Sequence, residues 1–326
     1  MAKVAKGEIS FNKKNIISFL NNDNELLTLI NKPLHGNKVL YDVIREAILK
    51  KNKVLYLFGG DRVDKDLLSY INKKEHYYTF TRDDLENKNL VFMNLKFLYN
   101  LNKKYDLIII DDISNYLNIT KNNFDILYER LKKHSKKIIL YSSINYNNSD
   151  FMYINDEEIL REPRVISTRI DLRYDIPYIL YEYILWFKNN NKNVAIYVPY
   201  KEELDMVYEY YTKKVTLKGA RILKGSDKKL KSNVLNLRDK STFLITNNIE
   251  EVLDSSNINA IIVICADDKN IDYKKILFMC GKVSLKKDKF SEVILVCREE
   301  SEEIEMSRKI TREFNKKLWE EEYLSY

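Results

Sequence analysis

The sequence predicts an α/β protein built as two successive halves, each a mainly parallel sheet covered by helices. Three observations lead there. Short continuous apolar runs, of which Leu107–Ile110 is the plainest, suit central parallel strands buried on both faces. Amphipathic stretches with helical spacing separate these runs, as parallel pairing requires, because the chain must cross back between strands. The alternation lapses after residue 144 and resumes near Pro177, so the pattern is laid down twice within 326 residues.

In the first half, residues 25–30 read as a strand, followed by a loop over 31–37 that holds Pro33 and Gly36. Residues 38–51 have helical spacing, with Val39, Val43, Ile44, Ala47 and Ile48 on one face. A strand over 53–58 stops at Gly59-Gly60, and Asp61 can cap a helix beginning at Arg62. Strands follow at 90–93 and 107–110 with a short helical pattern between them, then a helix over 122–133 and a strand over 137–141. These residues make a first domain over 1–160, with a linker at 161–176 and a second domain over 177–326. Asp175 and Pro177 start a helix with Pro177 at its first position and Ile179, Leu180, Tyr183, Ile184 and Phe187 turned inward. Strands at 194–198, 220–223, 242–246, 260–265 and 292–297 alternate with helices at 201–213, 228–237 and 272–280. A long charged helix from 302 to about 323 closes the chain, docked through Ile304, Ile310 and Phe314. Two such halves joined by a linker suggest a cleft between them.

Composition narrows the classes. Apolar residues make up 45% and charged residues 32%, which excludes a disordered chain. No apolar run approaches the roughly 18–20 residues needed to cross a bilayer. The first residues lack the apolar core of a signal peptide, so a cytoplasmic location is the expectation. Cys265, Cys280 and Cys297 are widely spaced, as are His35, His76 and His134, which argues against zinc or a disulfide framework. The net charge of +7 could attract nucleic acid, yet the abundance of Lys, Asn, Ile and Tyr would also follow from compositional bias. With only seven glycines, the chain has little material for a glycine-lined phosphate loop.

The segment with most chemistry is Tyr105-Asp106-Leu107-Ile108-Ile109-Ile110-Asp111-Asp112. A buried strand that ends on two carboxylates puts negative charge at the carboxyl edge of its sheet, where α/β proteins place ligands. In nucleoside-triphosphatases such a first carboxylate holds Mg²⁺, and the second orients the attacking water. A strand followed by an acidic helix cap is the plainer reading.

Taken with the order of segments, that pair resembles superfamily 2 helicases, and among them the ComFA-type competence DNA translocases related to the primosomal helicase PriA. The resemblance runs from about Leu26 to Asn315. It implies two RecA-like lobes, ATP and Mg²⁺ as cofactors, single-stranded DNA as partner, and a setting among competence or DNA-processing proteins. Asp111 then holds the metal. Asp112 replaces the family's glutamate and is one methylene shorter, which withdraws a water-orienting group by about 1 Å, a displacement that can cost on the order of 10²-fold in rate.

The other motifs depart further. The phosphate loop Gly-Ala-Gly-Lys-Thr-Glu is replaced by Leu34-His35-Gly36-Asn37-Lys38-Val39, which leaves Gly36 and Lys38 as the nucleotide-binding candidates and no hydroxyl for the metal. Arg62 matches an arginine that touches the DNA backbone. Ser142 and Ser143 stand where the family has Thr-Ala-Thr-Pro, and Thr246 is kept from a Thr-Thr-Thr-x-Leu-Glu-Arg-Gly motif. Lys282 replaces the first of two arginines that stabilise the transferring phosphoryl group, and Leu285 the second. Lysine keeps the charge but loses the bidentate fork. A four-cysteine cluster found in many ComFA-type proteins is absent. These departures imply a helicase-like fold with eroded catalytic motifs, weak or lost ATP hydrolysis and retained DNA association. A working ATP-driven translocase with divergent motifs is one alternative, and a protein-interaction module with neither ligand is another.

Overall fold

A computed structural model of the chain describes residues 13–59, 65–71, 89–114, 116–117, 119–146, 150–154, 158–215, 217–225, 240–255, 257–286 and 290–324. It divides into two compact units, Met1–Asp156 and Glu157–Tyr326.

The first unit begins with helix α1 (Lys13–Phe19) and strand β1 (Leu26–Ile30). A 3₁₀ turn (Lys38–Leu40) leads into α2 (Tyr41–Leu49), which buries Val43, Ile44, Ala47 and Ile48 and is closed by Lys51 in the left-handed region. Next come β2 (Val54–Phe58), α3 (Lys65–Tyr70) and β3 (Leu90–Asn94). A second 3₁₀ segment (Leu95–Asn100) is capped by Asn94, whose side chain accepts from the Lys96 amide at 2.9 Å. Then follow β4 (Leu107–Asp111), α4 (Lys121–Lys132), β5 (Ile138–Ser142) and β6 (Asp150–Tyr153). Thr120 and Asn123 form a reciprocal cap at the start of α4, worth about 1 kcal/mol.

These strands form one sheet in the order β3-β2-β4-β5-β1-β6, and every pair is parallel. β1, β2, β4 and β5 are buried along their whole length, which is why they read as unbroken apolar runs. Their side chains alternate between two cores. Leu29, Tyr56, Ile109 and Tyr141 join Ile16 of α1 and Ile44 of α2, while Leu55, Ile108, Ile110 and Leu140 join Phe124 and Leu131 of α4.

The second unit repeats the plan. Its elements are β7 (Arg164–Ser167), α5 (Tyr178–Asn189), β8 (Val194–Tyr197), a 3₁₀ turn (Lys201–Glu203), α6 (Leu204–Lys213) and β9 (Arg221–Lys224). They continue with β10 (Thr242–Thr246), α7 (Ile249–Asp254), β11 (Ala260–Val263), α8 (Tyr273–Ser284), β12 (Glu292–Cys297) and α9 (Glu302–Leu324). The sheet order is β7-β12-β11-β8-β10-β9, again parallel throughout. α8 is buried from Ile276 to Val283, and Asp272 caps it by accepting from the Lys275 amide at 2.7 Å. α9 buries Ile304, Ser307, Thr311 and Phe314, with Ile310 half-buried, and its Arg308 and Arg312 both reach Glu162.

Several details differ from the sequence reading. Residues 161–176, expected as a linker, include β7, which pairs with β12. Pro177 is the N-cap of α5 in an extended conformation rather than its first helical residue, and Ile179, expected to turn inward, is exposed. The helix expected over 38–51 opens as a 3₁₀ turn. β6 and β7 were not expected, because both are short edge strands whose side chains are only partly buried. The expected starts at Asp61 and Arg62, and the helix over 228–237, lie outside the described residues.

Candidate functional site

Sheet order assembles the site in the first unit. β4, β5 and β1 are neighbours, so their carboxyl ends bring Asp111-Asp112, Ser142-Ser143 and the loop over 31–37 to one edge. Period-two alternation puts Asp111 on the same face as Ile109, beside Tyr56 of the adjacent strand.

Asp111 is buried and held from all sides. Its Oδ2 accepts a very short hydrogen bond from the Tyr56 hydroxyl, and the Asn37 Nδ2 lies 3.4 Å away. Asn37 also donates to the Tyr56 oxygen at 2.6 Å, which closes a triangle. Asp111 Oδ1 accepts from the backbone amides of Ile113 (3.3 Å) and Ser114 (3.0 Å). Burial pushes the Asp111 carboxyl above the usual carboxylate range, opposed by the hydrogen bonds from Tyr56, Ser114 and Ile113.

Asp112 is equally buried but belongs to a second network. Its Oδ2 accepts from Ser142 Oγ at 3.0 Å and from the Tyr146 hydroxyl at 2.9 Å. Tyr146 stacks on Phe124, which ties this carboxylate to α4. The Ser143 hydroxyl is buried without a hydrogen-bond partner among the described residues.

The loop over 31–37 is folded onto the protein itself. The Leu34 amide donates to Ile113 O at 2.9 Å and the His35 amide to Lys32 O at 3.3 Å. Tyr141 Oη donates to Gly36 O at 2.9 Å and accepts from Asn31 Nδ2 at 2.9 Å. The left-handed residue of the loop is Leu34 (φ 63°), not Gly36, which is exposed and has open space around its Cα. Lys38 is exposed at the start of the 3₁₀ turn.

These groups are a poor match for Mg²⁺ and a triphosphate. A carboxylate has about four lone-pair sites, and four protein donors point at those of Asp111. A phosphate cradle needs successive amides turned inward; three in this loop, those of Asn31, Leu34 and His35, are turned to protein carbonyls.

In the second unit Thr246 ends β10, buried, with its Oγ1 donating to Glu251 Oε2 at 2.6 Å and accepting from the Asn248 amide at 3.0 Å. Burial raises the Glu251 carboxyl, against the Thr246 bond that lowers it. Lys282 lies within α8, buried, and its Nζ donates a very short hydrogen bond to Leu253 O in the last turn of α7. Burial and then Lys286 hold its ammonium below the usual lysine range. Arg62 lies outside the described residues.

The structure thus brings Asp111, Asp112, Ser142, Ser143 and Gly36 to one edge of the first sheet, while Thr246 and Lys282 take part in local contacts of the second unit. Tyr56, Asn37, Tyr141 and Tyr146 were missed in the sequence. Tyr56 and Tyr141 carried a signal, since a tyrosine inside a wholly buried strand usually finds a polar partner for its hydroxyl; Asn37 and Tyr146, in loops, carried none.

Two RecA-like lobes, each a parallel six-stranded sheet covered by helices, define a helicase-like fold. Two solved structures of Escherichia coli HrpB are similar to it, one described as a DExH-box NTPase and the other as a DEAH/RHA helicase. Each superposes with a TM-score of 0.55 over 91% of this chain at 10% sequence identity. The chain spans 41% and 43% of those two chains, less than half their length. No protein-family model and no curated protein sequence matches it. No helix among the described residues is long and apolar enough to cross a membrane.

Proposed function

We propose that this chain is a ComFA-like member of the superfamily 2 helicase group that associates with single-stranded DNA and has lost ATP hydrolysis. The carrying observation is the Asp111 carboxylate, whose two oxygens are taken by Tyr56, Asn37 and two backbone amides. A nucleotide-dependent Mg²⁺ would have to displace these donors from a buried site. The loop over 31–37 supports the same reading, since three of its amides are turned to protein carbonyls. Association with nucleic acid is supported by the helicase-like neighbours and the basic balance of the chain. By resemblance, the setting is competence DNA uptake or a related DNA-processing step.

The test is a titration of ATP and Mg²⁺ against the purified protein, with and without single-stranded DNA. The expected result is DNA binding that weakens as salt rises and no DNA-stimulated turnover. Stimulated turnover that disappears in Asp111→Ala would overturn the loss of hydrolysis. Absence of DNA binding at low salt would leave a protein-interaction module instead.

A further inference from the structure

The positive charge of the chain is unevenly divided. Residues 1–156 carry 25 Lys and Arg against 19 Asp and Glu, whereas residues 157–326 carry 30 against 29. Within the first unit, many of these cations gather where the strands begin, at the edge opposite Asp111.

Hydrogen bonds join the loops of that edge into one surface. Asp106 N donates to Lys53 O at 2.8 Å, Tyr105 N to His134 O at 2.8 Å, and Ile138 N to Glu25 O at 2.8 Å. His134 Nδ1 meets Lys103 O at 2.9 Å. Lys53, Lys104 and Lys136 immediately precede or lie just before β2, β4 and β5, three adjacent strands spaced about 4.8 Å apart. Lys51 and Lys133 follow the carboxyl ends of α2 and α4 beside them. All five are exposed and make no ion pair among the described residues.

Nearby acids offset these lysines only in part. Glu25 pairs with Lys132 and Glu46 with Lys50, so Asp106, which accepts from the Lys53 amide at 2.7 Å, is the acid that sets a charge against the five. Asp23 lies beside Lys137, whose ammonium donates to Asn24 O at 2.8 Å. Helix dipoles account for part of the surplus, because each carboxyl end carries roughly half a negative charge. Two helix ends thus offset about one lysine of the five.

We propose that this strand-start edge of the first unit is a docking surface for the phosphodiester backbone of single-stranded nucleic acid. It rests on the reading that the chain associates with nucleic acid and assigns that contact a place. Exposed ammonium groups on flexible stems suit sequence-independent contact with repeated phosphates. A folded acidic partner would call for a desolvated aromatic or arginine anchor at the centre of the patch, which these five lysines do not supply. An anionic membrane would call for an apolar face beside the charges.

The experiment compares the full chain with a variant carrying Lys51→Glu, Lys53→Glu, Lys104→Glu, Lys133→Glu and Lys136→Glu. Binding of fluorescent oligo-dT and oligo-U is followed by anisotropy across a salt series, with thermal melting as the check on folding. Replacing the same five lysines by arginine serves as the charge-preserving control. The charge-reversed variant is expected to lose at least about tenfold in affinity at low salt, with a log–log salt slope shallower by about 3, while the arginine variant binds normally. Oligonucleotide binding by the unaltered chain that survives the reversal overturns this proposal and leaves the association itself standing. Failure of the unaltered chain to bind oligonucleotide overturns both. Tighter binding to phosphatidylserine vesicles than to oligonucleotide, lost in the reversed variant, overturns it in favour of a membrane surface.

Discussion

Asp111 and Tyr56 form the pair on which the character of the first unit turns. The carboxyl is buried, and its folded pKa lies above its unfolded value of about 4. Its contribution to stability is therefore fully present below the unfolded pKa and is lost as pH rises through the folded pKa. At neutral pH the charged form is a burden on the fold. The melting temperature of the unaltered chain should consequently fall relative to that of Asp111→Asn as pH rises from about 5 to about 8; a gap that does not change with pH would contradict this. Tyr56→Phe acts the other way, because it leaves a buried carboxylate short of a donor. It should cost about 1–3 kcal/mol near neutral pH, measured by urea unfolding. In the Asp111→Asn background Tyr56→Phe should cost much less, since no buried charge is then left short of a donor and the two residues share one network.

At the scale of elements, the second unit shows how local contacts absorb residues that the sequence marks for chemistry. Lys282 reaches the last turn of α7, and Thr246 is tied to Glu251 at the end of β10. Gly225, just after β9, packs directly on that pair: a Cβ there would stand 2.2 Å from Glu251 Oε2 and 2.4 Å from Thr246 Oγ1. Gly225→Ala should therefore destabilise by about 1–3 kcal/mol, and Glu251→Ala in the same chain should restore part of the loss. Equal unfolding midpoints for Gly225→Ala and the unaltered protein would show that the contact is slack. The elements that were legible in the sequence are those buried on both faces, such as β1, β2, β4 and β5, where continuous burial demands an unbroken apolar run. β6 and β7 were not, because four residues are too few to establish a period, and in β7 two of the four are exposed. The same limit applies to the site. Asp111 and Asp112 stood out at the end of a buried strand, but Asn37, Tyr56 and Tyr146 reach them through sheet order and register, which no local pattern encodes.

For the molecule as a whole, duplication of the architecture has an energetic consequence. Each unit has its own parallel sheet, with Leu29, Tyr56 and Ile109 in a core of the first and Ile196, Ile245 and Ile262 in that of the second. Units of this size can bury enough surface to fold independently. Fragments 1–156 and 157–326 should therefore each show helical circular dichroism and a cooperative melt when made separately. The division of charge then separates them functionally. The first carries an excess of six positive charges and the second of one, so long-range attraction of a polyanion belongs chiefly to the first. Fragment 1–156 should retain most of the oligo-dT affinity and its salt dependence, and fragment 157–326 should bind at least about tenfold more weakly at low salt. Folded fragments with equal affinities, or with the stronger binding in 157–326, would move the nucleic-acid contact away from the lysine edge.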